Sequence, residues 1–137
     1  ILDKMNDFAK TTDLNNNLIA EMKHSHLTVD QAQKDILNII NKNTKKKDLI
    51  FLAGNNIHCD LSIIRKFMPE LYSKLYYRVL DVSSIKELLY NVDKQIVKDA
   101  EHKKLYTHRA YQDICESLEE YKDYKITFLD VVSSYQL

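Results

Sequence analysis

Apolar residues in this chain fall mostly at helical spacing, with two interruptions where short apolar runs of strand length appear. The first run, Leu49 to Ala53, ends at Gly54 and the polar pair Asn55-Asn56, so it reads as a strand closed by a turn. A helical period then covers Leu61–Leu75, with Ile64, Phe67, Met68, Leu71 and Leu75 on one side. Pro69 inside that pattern predicts a break or kink. The second run, Tyr77 to Val82, is rich in β-branched and aromatic residues and predicts another strand. The two strands are expected over about residues 48–53 and 77–82.

Helices surround them. Ile1, Leu2, Met5 and Phe8 make a helical turn or two, which the turn and cap formers from Thr11 to Asn17 break. Leu18, Ile19 and Met22 mark a second helix. Thr28-Val29-Asp30 then caps a third that runs to Asn43 with Ala32, Ile36, Leu37, Ile39 and Ile40 on one broad face. Ser83 or Ser84 caps a helix through Ile85, Leu88 and Leu89. Residues 91–107 lack a clean period and are dense in charge, which predicts a surface loop or an irregular helix. From about Arg109 to Phe128 a last helix turns Ala110, Ile114, Leu118, Tyr121 and Tyr124 inward. Two strands among helices define the α/β class, mostly helical. A chain of 137 residues with 45% hydrophobic content suffices for a single domain over residues 1–137.

Lys and Arg number 20, as do Asp and Glu, so the formal net charge is zero. Bulk charge therefore calls for no long nucleic-acid partner, while a small ligand needing a few local charges remains allowed. Cys59 and Cys115 are too few for a disulfide framework and read as reduced thiols of an intracellular protein. No apolar run approaches membrane-spanning length and no secretory signal is visible, so no membrane partner is expected. The chain begins Ile1-Leu2-Asp3 with its first methionine at Met5, as a processed or incomplete chain does.

Candidate chemistry gathers at Asp60, His108 and Asp113. A carboxylate delivered at the mouth of a helix after a glycine turn is a common way to place a charge at a sheet edge. On this segment alone, Asp60 reads more readily as the N-cap of an ordinary strand–turn–helix junction. His108 and Asp113 are five apart, roughly 140° out of phase on an ideal helix. They converge if His108 lies in the loop before the helix and Asp113 projects from its second turn, an arrangement suited to a mobile base beside a fixed metal ligand.

Four blocks carry a resemblance: Gly54-Asn55-Asn56-Ile57-His58-Cys59-Asp60; Lys66-Phe67-Met68-Pro69-Glu70-Leu71; Tyr76-Tyr77-Arg78-Val79-Leu80-Asp81-Val82-Ser83-Ser84-Ile85-Lys86-Glu87-Leu88; and His108-Arg109-Ala110-Tyr111-Gln112-Asp113-Ile114-Cys115-Glu116-Ser117. In this order and spacing they resemble oligoribonuclease, a 3′→5′ exonuclease of the DEDD type and histidine subclass with a ribonuclease H-like fold. The resemblance runs from Leu2-Asp3-Lys4-Met5 to about Phe128. It implies that Asp60 and Asp113 are metal carboxylates of the second and third exonuclease motifs, and that His108 is the general base. Two divalent cations, Mg²⁺ or Mn²⁺, are implied at the complete site, as hard ions that prefer oxygen ligands. Gly54, Asn55 and Asn56 are implied at the substrate, with the glycine allowing close approach of backbone to a nucleotide. Phe8 stands where the family usually has a tryptophan against a nucleobase. Tyr77 matches a tyrosine that reaches into the neighbouring subunit's site, which implies a homodimer.

The departures matter too. The family's first motif, Asp-x-Glu at the end of a strand, precedes Ile1 in the family order. Asp99-Ala100-Glu101 has its letters but the wrong setting. Asp13 replaces a histidine, Asn56 a serine and Gln112 an aspartate, and Leu89-Tyr90-Asn91 takes the place of basic and tryptophan residues. The resemblance thus implies the C-terminal two-thirds of an enzyme that degrades short single-stranded RNA oligonucleotides, down to dinucleotides, to nucleoside 5′-monophosphates. The chain alone is then expected to be an inactive, incomplete portion with two strands of the family sheet. It is placed in the cytoplasm or the mitochondrion. The alternative, from another class, is a non-catalytic dimerising or interaction module derived from the same fold.

Overall fold

In the computed structural model, residues 11, 17–101 and 109–134 are described. The expected helix over the first residues, with Phe8, lies outside them, as do Asp13 and His108. The order is α1 (Leu18–His24), α2 (Val29–Asn43), β1 (Ile50–Gly54), α3 (Ile57–Phe67), α4 (Pro69–Lys74), β2 (Leu75–Asp81), α5 (Val82–Val92), α6 (Lys94–Glu101) and α7 (Ala110–Ser134). Thr28 caps α2 as expected, its side chain accepting from Gln31 N at 3.2 Å.

Of the apolar face expected on α2, Ala32, Leu37 and Ile40 are partly covered, whereas Ile36 and Ile39 are exposed and the one fully buried residue is Gln33. Its Oε1 accepts from the backbone N–H groups of Glu70 and Leu71 at 3.0 and 3.3 Å. Those are donors that the first turn of α4 leaves without a partner of its own. A polar side chain thus joins α2 to α4. Pro69 opens α4, where its missing N–H costs nothing, so the expected break falls at Met68.

β1 and β2 pair in parallel, with α3 and α4 forming the crossover that such pairing requires. Leu52 faces Val79, Ala53 faces Leu80 and Gly54 faces Asp81, so both strands finish at one end of the sheet. The second strand begins at Leu75 and ends at Asp81, two residues earlier than expected at its start. Leu75 follows a helix that stops at Lys74 and enters the strand directly.

The main core lies among α5, α6 and α7, from Val82, Leu89, Val97, Ala100 and Tyr124, with Ile85, Ile96 and Tyr121 packed against it. Residues 94–101, placed above in a loop or irregular helix, are a regular helix that contributes two of those core residues. Their charge density hid a short inward stripe of Ile96, Val97 and Ala100. Asp81 rather than Ser83 or Ser84 caps α5, its carboxylate accepting from Ser83 N at 3.0 Å.

One face of the sheet is open. Phe51 and Ala53 are exposed on β1 while Ile50, Leu52 and Gly54 are partly covered, the alternation a strand imposes. Leu49 and Val79 add to the exposed apolar surface. Parallel strands are usually covered on both faces, so this is an uncommon exposure.

Candidate active site

Gly54 ends β1 with φ +157°, and a Cβ placed there would lie 3.1 Å from Cδ1 of Ile57. The next two residues turn the chain. Asn56 takes the left-handed conformation at φ 51°, ψ 38°, which asparagine tolerates better than most residues. The helix therefore starts at Ile57, and Asn56, not Asp60, is its N-cap residue. Asp60 lies in the first turn instead, exposed, where a carboxylate also complements the helix dipole.

The close fit of Gly54 over Ile57 gives a test. Gly54→Ala lowers stability by about 1 kcal/mol through the unfavourable φ and the tight contact. Ile57→Val removes the Cδ1 that the new methyl meets, so the double variant regains part of the loss. Urea denaturation of the three variants checks this; strictly additive losses would show that contact to be irrelevant.

Asn55 is the hub of the site. Its Nδ2 donates to Ser117 Oγ at 3.0 Å and to Glu120 Oε2 at 2.9 Å. Its Oδ1 accepts from Ser83 Oγ at 3.0 Å, and the same Ser83 Oγ accepts from Asn56 N at 3.1 Å. One amide thus ties the end of β1 to the start of α5 and to the middle of α7. The side chain of Asn55, expected at the substrate, is engaged inside the protein.

On α7 the partners of Asn55 belong to a stripe at spacings of four, three and four: Asp113, Ser117, Glu120 and Tyr124. Tyr124 is 0% exposed and Glu120 2%, while Ser117 and Asp113 are partly exposed, so the stripe opens toward the helix N-terminus. Glu120 Oε1 accepts from Tyr124 Oη at 2.8 Å, and Ser117 Oγ donates to the Asp113 carbonyl at 2.8 Å. Ile114 and Leu118, expected to face inward, are exposed, and α7 continues past Phe128 to Ser134. The helix buries a polar stripe because Asn55 waits opposite it. Asp113 stands in the first turn of α7, not the second, with its N–H donating to the Arg109 carbonyl at 2.9 Å.

Among the described residues, the carboxylates of Asp60 and Asp113 have no hydrogen-bond or ion-pair partner. Two such oxygen donors suit a hard divalent cation. No group of three His, Cys, Asp or Glu side chains able to hold a metal ion forms among the described residues, so these two can supply only part of a donor set. Asp99-Ala100-Glu101 ends α6, where Ala100 is in the core and Asp99 Oδ1 accepts from Gln95 Nε2 at 2.7 Å. It is no substitute. Gln112, in place of an aspartate, donates from Nε2 to Glu116 Oε1 at 3.2 Å.

Tyr77 is 74% exposed and lies beside Arg78, whose Nε donates to its hydroxyl at 2.8 Å. Tyr76 packs between it and Phe51, with ring centroids 4.5 and 5.1 Å away. A hydrogen bond with Tyr77 raises the Tyr76 pKa above its ordinary value, and desolvation adds to the shift. Asp60 and Asp113 were singled out in the sequence by motif and Tyr124 by its place on the inward face, which its burial bears out; the linking roles of Ser83, Ser117 and Glu120 were not foreseen. The spacing of Ser117, Glu120 and Tyr124 on one face after Asp113 was the available signal.

The sequence that builds this arrangement is similar to known proteins. Residues 1–121 match the exonuclease family RNase_T, and the chain belongs to that family, whose domain is ribonuclease H-like and normally uses divalent metal ions. Its similarity narrows further, to oligoribonucleases. It is 37% identical over 127 residues to a probable oligoribonuclease of Dictyostelium discoideum, covering 93% of this chain and 65% of the relative. It is 35% identical over 125 residues to the mitochondrial oligoribonuclease of Homo sapiens, covering 91% and 52%. The oligoribonuclease of Cutibacterium acnes is 40% identical over 119 residues, covering 87% and 58%. The chain thus spans between about half and two-thirds of the length of these relatives. No helix among the described residues is long and apolar enough to cross a membrane.

Proposed function

We propose that the complete protein is a 3′→5′ exoribonuclease of the oligoribonuclease type, of which this chain is one portion of a single exonuclease domain. It trims short single-stranded RNA, down to dinucleotides, to nucleoside 5′-monophosphates in the cytoplasm or the mitochondrion. The observation that carries the reading is the Asn55 junction within a family-matched chain: one side chain joins the turn before Asp60 to the helix bearing Asp113. Both carboxylates are left without protein partners among the described residues.

In this reading Asp60 and Asp113 hold Mg²⁺ or Mn²⁺ together with carboxylates from another strand. Bound there, two such ions supply electrostatic stabilisation of the attacking water and the leaving 3′ oxygen. His108 accepts the proton of the attacking water. Phe8 stacks on a nucleobase, with less area than a tryptophan offers. The backbone at Gly54 and Asn56 lines the nucleotide, Asn55 positions rather than binds, and Tyr77 reaches the site of a second copy in a homodimer.

His108→Ala in the complete protein tests the reading. It lowers kcat for a diribonucleotide by roughly two to four decades with a smaller change in KM. An unchanged kcat removes His108 from the chemistry. The second reading, a non-catalytic interaction module, draws on the lack of a three-ligand metal group among the described residues. A complete protein that hydrolyses no diribonucleotide at any Mg²⁺ or Mn²⁺ concentration would favour it.

A further inference from the structure

We infer that Glu120 is a positioning residue for the site formed by Asp60 and Asp113, acting through Asn55; the inference rests on the proposed role of those two carboxylates. Glu120 is almost fully buried, and a carboxylate taken out of water is costly unless its oxygens are engaged. Here Oε2 receives the Asn55 amide at 2.9 Å and Oε1 receives the Tyr124 hydroxyl at 2.8 Å. The two bonds do different things. Tyr124 lies one turn along the same helix, so its bond fixes the Glu120 side chain within α7. Asn55 lies 65 positions away in the chain, so its bond fixes α7 against the end of β1.

That joint stands between the two candidate ligands. Asp60 follows Asn55 by five residues, through the left-handed turn at Asn56 and into the first turn of α3, and Asp113 precedes Glu120 by seven residues, two turns up the same face. The separation of the two carboxylates is therefore set by where the Asn55 amide meets Glu120 and Ser117. Ser117 adds a second tie: its Oγ accepts from Asn55 while its hydroxyl donates to the Asp113 carbonyl. Side chains that orient ligands in this way typically change metal affinity by 10–100-fold when removed. Glu120 touches neither ion nor substrate in this account.

The experiment uses the complete protein, with Mn²⁺ affinity followed by isothermal titration calorimetry and hydrolysis followed on a 5′-phosphorylated diadenylate. Glu120→Ala weakens Mn²⁺ binding by about 10-fold or more and lowers kcat more than it raises KM. Glu120→Gln keeps an acceptor for Asn55 and presents an amide to the Tyr124 oxygen, so its Mn²⁺ affinity stays within about threefold of the parent. Tyr124→Phe removes the bond within the helix and keeps the joint. It lowers the melting temperature but leaves Mn²⁺ affinity within about twofold. A merely structural Glu120 predicts the opposite, with affinity falling in Tyr124→Phe in proportion to stability. That result, unchanged affinity in Glu120→Ala, or a Gln variant as impaired as the Ala variant overturns the inference. If Glu120→Ala does not fold, the Gln and Phe variants decide between the same outcomes. A parent protein that binds no Mn²⁺ and cleaves no diadenylate overturns the reading of Asp60 and Asp113 instead, and the inference with it.

Discussion

Asp113→Asn in the complete protein lowers kcat for a diribonucleotide by about a thousandfold or more, and leaves its melting temperature unchanged or slightly raised. The first part follows from the proposed role. Losing one anionic ligand from a two-cation site removes several kcal/mol of transition-state stabilisation, and about 4 kcal/mol is a factor of about a thousand. The second part follows from the structure. The Asp113 carboxylate has no partner among the described residues, and its stabilising contribution to α7 comes from the backbone bond to Arg109 and the burial of the stripe below it. Asparagine keeps both; it gives up the favourable placing of a carboxylate in the first turn of α7, about 0.3–1 kcal/mol, and offsets that by removing a like charge that faces Asp60 if the two carboxylates share one site. Steady-state hydrolysis and a thermal melt of the same preparation check the pair of outcomes. A variant that loses activity and stability together would assign Asp113 to the scaffold; full activity would remove it from the site.

The 137-residue chain on its own cleaves no diribonucleotide at any Mg²⁺ concentration, whereas a protein extended upstream by a strand ending in Asp-x-Glu is active. Two reasons converge on this expectation. Asp60 and Asp113 are too few oxygen donors for two hard cations, and no third acidic side chain joins them among the described residues. The sheet also leaves the apolar side chains of Leu49, Phe51 and Val79 exposed, and it has only two strands among the described residues. Exposed strands of that kind pair with whatever strand is supplied, so the chain alone is expected to be poorly soluble as well. Mg²⁺-dependent release of mononucleotides, measured on both proteins at equal concentration, decides the matter. Equal hydrolysis by the two would show that this chain already holds a sufficient site.

These expectations draw on residues of two kinds, and they differ in how they could be read. The strand–glycine–turn unit was visible in the sequence because it depends on neighbours alone. An apolar run of five residues, a lone glycine and an asparagine pair leave few backbone choices. Even there the helix start was misplaced, since an asparagine in the left-handed region lets the helix begin three residues before Asp60. Asp60, His108 and Asp113 were singled out by motif and spacing, and the chain's membership of the exonuclease family agrees with the four blocks that carried the resemblance. His108 and Phe8 lie outside the described residues, so their place in the site rests on the resemblance.

Periodicity failed where a polar residue had a distant partner. Hydrophobic spacing on α7 placed Tyr124 inside, as it is, but it also selected Ile114 and Leu118, which are exposed, and passed over Glu120, which is buried. On α2 it found a face that is only partly covered and passed over Gln33, the residue that is fully buried. In each case a hydrogen-bond partner brought by tertiary contact, Asn55 for Glu120 and the first turn of α4 for Gln33, made burial of a polar group favourable. No window of sequence contains both members of such a pair. By itself, then, the sequence determined the α/β class, the Gly54 turn and the identity of the acidic residues, because these follow from local backbone preference and motif. Only the tertiary structure decided that Asn55 faces inward and that Glu120 meets it, because a buried carboxylate is tolerated only where the fold delivers a donor from elsewhere in the chain.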